Sequence, residues 1–269
     1  MKKSWLTIVP LLLALLLVNG TAIAGDDQDA LDAIMQRGKL VVATELGTPP
    51  WAYKDPKTGE ITGFTIELAQ LLAEELGVEL EIKTYEWAGI IPSLLTQKVD
   101  MLTACLTRTV PRSAKLMYTE PYVNMPGQVL VRKGEFKTLE ELNNKKVVLT
   151  CTTGSVWEQI AEKRLAGATI RTNPTNADNA IALQTKRADG YLNDKLQLVS
   201  AMNMYPGQFE LVPAPLAWDS FAFAVRYDSF KLWNTTNLFM RLIKMDGRYG
   251  ALFEKYMGYE WVPTVESAS

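Results

Sequence analysis

The chain of 269 residues contains no histidine. That absence removes Ser-His-Asp and Cys-His nucleophile systems, the usual general base near neutral pH and most zinc sites. A hydrolase is disfavoured, and no metal or other cofactor is expected. Cysteine is nearly absent too: Cys105 and Cys151 are too few for a disulfide scaffold. One bridge is conceivable in an exported chain, but spacing alone does not establish it. A large basic excess is also missing, so nucleic acid is not an expected partner. Beyond residue 24 there is no long apolar run, which argues against stable membrane insertion.

What is present begins with an export signal. Lys2 and Lys3 precede an apolar run from Ile8 to Val18, and Ala22-Ile23-Ala24 forms a small-residue cleavage pattern. The alternative, a membrane anchor, needs about 20 apolar residues, and no cysteine follows the cleavage pattern to carry a lipid. Residues 1–24 therefore read as a signal peptide and the mature chain as starting near Gly25. Its loss lowers the 28 basic residues to 26 against 30 acidic ones, a net charge of about −4. The remaining length suffices for two lobes with separate cores.

From Lys39 the pattern alternates between strand and helix. "KLVVAT", "VELEIKT" and "VDMLTA" are short buried strands, separated by the helical stretches "TIELAQLLAEELG" and "AGIIPSLLTQ". After Gly127 the series restarts with "QVLVRK", "KKVVLT", a helix from Ser155 to Leu165, "ATIRT", a helix from Asn176 to Lys186 and "ADGYLN". Such alternation predicts mainly parallel sheets flanked by helices, and two series predict two α/β lobes. An internal echo supports the division. "LLTQKVDML" aligns with "ALQTKRADGYL", placing Leu94 on Leu183, Thr96 on Thr185, Lys98 on Arg187 and Asp100 on Asp189. Five residues past the aligned aspartates stand Cys105 and Asp194. Both leave the carboxyl end of a predicted strand, where open α/β sheets place ligands.

The stretch "TACLTRTVPRSAKLMYTEPY" delivers Cys105, Thr107, Thr109, Arg108 and Arg112 into one short loop. Either arginine could meet an anion, and spacing does not choose between them. Asp194 suits an N-cap for the helix "KLQLVSAM", a role compatible with ligand contact. "TTGSVWEQ" places Gly154 and Ser155 at a strand-to-helix turn whose amides can receive a carboxylate, or where Ser155 simply caps a helix.

Taken in order, "GFTIELAQLLAEELGVELEIKTYEWAGIIPSLLTQKVDML", "TRTVPRSAKLMYTEPYV", "ADGYLNDKLQL", "WDSFAFAVRYD" and "DGRYGALFEKYMG" resemble the periplasmic solute-binding proteins for polar amino acids, family 3, that serve ABC importers. The resemblance covers nearly the whole mature chain. It implies a type II periplasmic-binding-protein fold, two lobes joined by two crossing strands and closing on a ligand. The first lobe is expected over residues 25–124, the second over 125–217, and the crossing strand near "FAFAVR" with the return to the first lobe over 218–269. The resemblance also selects Arg112 for the ligand carboxylate, with Thr107 donating to it. Cys105 contacts the ligand and Asp194 accepts from its ammonium. Ser155 fits the family's turn, whereas Val156 departs from a hydroxyl position. Trp87 would pack on the ligand side chain, and Glu45 would reach its distal group. Thr48 stands where many binders of basic amino acids carry a ring. The implied partners are an amino acid and an inner-membrane ABC permease, the implied place is the periplasm, and the expected state is a monomer.

Two other functions fit the scaffold. Dehydratases of prephenate or arogenate use a carboxylic acid just after the Asp194 position, but Gln197 stands there and cannot serve as a general acid. The third possibility is a module that presents its closed form to a separate sensor.

Overall fold

The computed structural model describes residues 29–262, so the expected signal peptide lies outside the described residues. Helix α1 (Ala30–Arg37) leads into strand β1 (Lys39–Thr44), then the small hairpin β2 (Tyr53–Lys54) and β3 (Ile61–Thr62). Next come α2 (Phe64–Leu76), β4 (Glu79–Thr84), α3 (Trp87–Leu95), β5 (Met101–Leu102), α4 (Val110–Ser113) and β6 (Met117–Tyr118). The long β7 (Val123–Arg132) opens a second group: α5 (Leu139–Leu142), β8 (Val148–Thr152), α6 (Val156–Arg164), β9 (Thr169–Asn173), α7 (Asn176–Gln184), β10 (Gly190–Asp194), α8 (Lys195–Met204) and β11 (Phe209–Leu211). The chain returns through β12 (Ala217–Phe221) and β13 (Ala224–Val225) to α9 (Phe230–Met245) and α10 (Arg248–Met257).

Two main sheets result. The first has the order β4-β1-β5-β13-β6 and the second β11-β7-β10-β8-β9. At the centre of each are parallel strands. β1 lies between β4 and β5, with Lys39 opposite Glu79 and Thr44 opposite Thr84, and β8 lies between β9 and β10. In β1, Leu40 to Thr44 are all buried, as expected of a strand covered on both faces. The expectation of mainly parallel sheets needs one correction, because both sheets are mixed. β13 runs antiparallel to β5 and β6, and β7 runs antiparallel to β10, β11 and β12. In each sheet the strand arriving from the other lobe, β13 in the first and β7 in the second, runs opposite to its neighbours and so pairs antiparallel.

β7 and β12 form the connection between the lobes. Val123 pairs with Phe221 and Gly127 with Ala217, after which the rest of β7 joins β10. The crossing strand is thus "AWDSF". Of the expected "FAFAVR", Phe221 ends this crossing strand, whereas Ala224 and Val225 already belong to the first sheet. Gly127 is required at this crossing, since a Cβ there would lie 1.7 Å from the Trp157 ring.

The C-terminal helices pack on the first lobe. Phe64 at the start of α2 meets Trp51, Tyr249 and Phe253 edge to face, with centroids 6.0, 5.9 and 6.2 Å apart. Such pairs contribute about 0.5–1.5 kcal/mol each beyond the area they bury. Gly63 permits this packing: its φ is 132°, and a Cβ would sit 2.2 Å from the Trp51 carbonyl oxygen. Glycine at that position lets α2 start against the backbone that carries Trp51 to the cleft.

Candidate functional site

A cleft between the sheets holds about 570 Å³ of space not filled by atoms, part of it open to solvent. Both lobes and the crossing strand line it. From the first lobe come Glu45 after β1, Trp51, Trp87 at the start of α3, and Cys105 and Thr107 after β5. The second lobe supplies Ser155, Val156, Asn193, Asp194 and Gln197, and the crossing strand supplies Asp219 and Phe221.

Seven of the eight expected site residues therefore lie on one cleft: Glu45, Trp87, Cys105, Thr107, Ser155, Val156 and Asp194. Arg112 does not line it. Its guanidinium carbon sits 5.7 Å from the centroid of the Trp87 ring, a cation–π distance. One guanidinium nitrogen donates to the Thr107 carbonyl at 3.1 Å and the other to the Gly154 carbonyl at 3.3 Å. Arg112 thus joins the loop after β5 to the turn before α6, at the mouth beside Trp87. Burial lowers its pKa from the usual value. Arg108, the alternative arginine, is exposed and borders a different depression with Val110 and Tyr227.

Asp194 ends β10 and caps α8, its carboxylate accepting from Gln197 N at 3.0 Å. Ser155 occupies the N-cap position of α6, but its side chain makes no capping bond. Its buried Oγ has no hydrogen-bond partner. Gln197 Oε1 and Trp51 Nε1 are buried and unpartnered as well. All three residues line the cleft. A buried polar atom without a partner costs about 1–3 kcal/mol, a cost that a polar ligand could relieve. Cys105 lines the cleft and Cys151 is buried in the second lobe; both are free thiols.

Electrostatics mark the cleft more strongly than shape does. Glu45, Asp194 and Asp219 are 9%, 4% and 2% exposed. Burial pushes the pKa of Glu45 up to about 7, with help from the Glu86 charge. Burial likewise pushes Asp194 up to about 6 and Asp219 to about 7. The Cys105 thiol is also driven upward by burial and then by the Asp194 charge. None of these acids is in an ion pair among the described residues.

Sequence reasoning missed Asp219, Asn193, Gln197 as a lining residue, and Trp51. For Asp219 a signal existed. Period-two alternation places it on the same face of the strand as Phe221, while Trp218, the residue before it, faces the other way and is 71% exposed. For Trp51 there was none, since only the contact with Gly63 brings it inward.

A two-lobed α/β fold with a polar cleft at the strand ends is the architecture of a solute-binding protein. The profile of the bacterial extracellular solute-binding proteins, family 3, matches residues 40–259. The chain belongs to that family. It is 28% identical over 250 residues to the L-cystine-binding protein of Escherichia coli strain K12, covering 91% of this chain and 93% of that one. Among solved structures it resembles an ancestral amino acid-binding protein described as a precursor of cyclohexadienyl dehydratase, at 34% identity and TM-score 0.79, covering 85% of this chain and 99% of that one. An ancestral arginine-binding protein bound to arginine shares 30% identity at TM-score 0.77, covering 82% and 99%.

Proposed function

We propose that this protein captures an amino acid with a cationic side chain between its lobes and delivers it to the permease of an ABC importer. The observation that carries the reading is the set of three buried carboxyl groups, Glu45, Asp194 and Asp219, on one cleft, with the Arg112 guanidinium at its edge beside Trp87. In it, the ligand carboxylate meets Arg112, a planar group suited to bidentate pairing, together with the Thr107 hydroxyl and the turn at Ser155. Asp194 accepts from the ammonium. The side chain lies on Trp87 and reaches Glu45, and Cys105 and Val156 complete the walls. Opposite ligand charges then meet different lobes, so binding favours the closed form. The lobes extend over residues 25–124 and 125–217, with 218–269 crossing back. The mature protein works as a periplasmic monomer after loss of residues 1–24.

No reaction is assigned to the site. Gln197 presents an amide where an acid catalyst would be needed, which supports binding without turnover. A thermal-shift screen of the mature protein against the common L-amino acids tests the reading, with prephenate and arogenate included and product formation followed. Ligand at 100 times its Kd adds about 2.7 kcal/mol. A rise with arginine or lysine is the expected result. No rise with any amino acid, or product in the prephenate or arogenate wells, would overturn it.

A further inference from the structure

We propose that Asp219 sets the charge of the ligand site by holding a proton while a singly cationic amino acid is bound, so that ligand and proton occupy the site together. The inference rests on the cationic-amino-acid reading above and adds a residue which that reading leaves without a ligand partner.

Charge balance is the first reason. Fully ionised, Glu45, Asp194 and Asp219 against Arg112 leave two excess negative charges on buried side chains around one cleft. A ligand of net charge +1 balances one of them. The second remains, and an unbalanced buried charge costs several kcal/mol, so the group takes up a proton instead.

Geometry then selects Asp219. Asp194 heads α8, where the helix N-terminus and the Gln197 amide both favour the ionised form. Glu45 has no hydrogen bond to its carboxylate within the described residues, which leaves it free to meet a ligand cation. Asp219 is different. One of its oxygens accepts from Ser220 N at 2.8 Å, and the other lies 3.1 Å from Thr107 Oγ1. A hydroxyl both donates and accepts. When Asp219 is ionised, Thr107 must give it the hydroxyl hydrogen. Once protonated, Asp219 donates to Thr107 Oγ1 and leaves that hydrogen for the ligand carboxylate. The other charged or titratable groups acting on Asp219 are Arg112 from α4, Asp194 from β10, Cys105 after β5, Tyr118 in β6 and Tyr122 before β7. Of these only Arg112 is a cation, and its nitrogens are bonded to backbone carbonyls.

The test is calorimetric titration of the mature protein with L-arginine from pH 5.5 to 9, in buffers of different ionisation heat, for the wild type and Asp219→Asn. The wild type is expected to take up a proton on binding above about pH 7 and to lose affinity there, up to tenfold per pH unit. Asp219→Asn, which imitates the protonated carboxyl, should lose both the alkaline decline and the proton uptake. An unchanged alkaline decline or an unchanged proton uptake in Asp219→Asn overturns the proposal while leaving the function intact. If no amino acid binds the wild type at any pH, the functional reading fails and this inference falls with it. Should Asp219→Asn fail to fold, carbon NMR titration of the wild-type aspartates with arginine bound decides. One carboxyl protonated at pH 7 supports the proposal, and complete ionisation overturns it.

Discussion

The helix ends at Thr96 and Thr185 are built alike although they belong to different lobes. Each threonine bonds back to a helix carbonyl, Pro92 at 2.8 Å and Ile181 at 2.7 Å. Gln97 and Lys186 follow with φ of 57° and 61°, the only non-glycine residues with positive φ among those described. Asp100 then accepts from Val41 N at 2.8 Å and pairs with Arg37. Its counterpart Asp189 accepts from Val148 N at 2.9 Å and pairs with Arg132, also at 2.9 Å. Each carboxylate thus ties the turn to the first residues of a neighbouring parallel strand. Five residues on, the two regions diverge. Cys105 begins a long loop towards Arg112, whereas Asp194 caps α8 at once. The equivalent strand ends therefore present a thiol from one lobe and an acid from the other.

The largest effects should appear where the two regions differ. Arg112→Ala and Asp194→Ala are each expected to weaken amino-acid binding more than 100-fold, because removing one partner of a buried charge pair costs about 3–5 kcal/mol. Calorimetry checks this, and circular dichroism should show the fold retained. Undiminished affinity in either variant would end the assignment of the two ligand charges to opposite lobes.

Where the regions agree, the effects concern stability and are smaller. Asp100→Ala leaves the Val41 amide unpaired beside a carboxylate side chain only 9% exposed, and should cost about 2–3 kcal/mol. Asp189, 27% exposed, should cost about 1–2 kcal/mol by the same substitution. Urea unfolding midpoints measure both, and the reverse order would break the equivalence. The smallest change is expected from Gln97→Gly and Lys186→Gly, each raising stability by up to about 1 kcal/mol through relief of the left-handed conformation. Unequal signs would show that the turns only look alike.

A pH dependence separates the cleft from both turns. Glu45, Asp194 and Asp219 all hold protons in the folded state at pH values where the unfolded chain has released them. The folded state then binds more protons, so stability of the ligand-free protein falls as pH rises from about 4 to 7. Melting temperatures across that range should decline, and Asp219→Asn should reduce the decline. A flat profile would mean that the acids are solvated.

Much of this was readable in the chain. Apolar runs of strand length alternating with helical periodicity gave the two-lobed α/β class, since periodicity is a local property that burial imposes on sequence. The echo of Asp100 and Asp189 located two equivalent strand ends, and family resemblance added the residues around them. Strand direction was not readable: "AWDSF" and "AV" carry no mark of whether they join a sheet parallel or antiparallel. Nor was the company that Asp219 keeps, because Thr107 lies 112 residues away in sequence.

By itself, then, the sequence determined which segments bury apolar surface, which chemistry histidine's absence removes, and which residues leave the strand ends. Only the tertiary structure decided that Arg112 sits at the mouth over Trp87, that Trp51 turns inward against Gly63, and that three carboxyl groups share one cleft. The physical reason is that burial and charge interaction depend on distances through space, and residues far apart in the chain acquire those distances only when the lobes and their crossing strands pack.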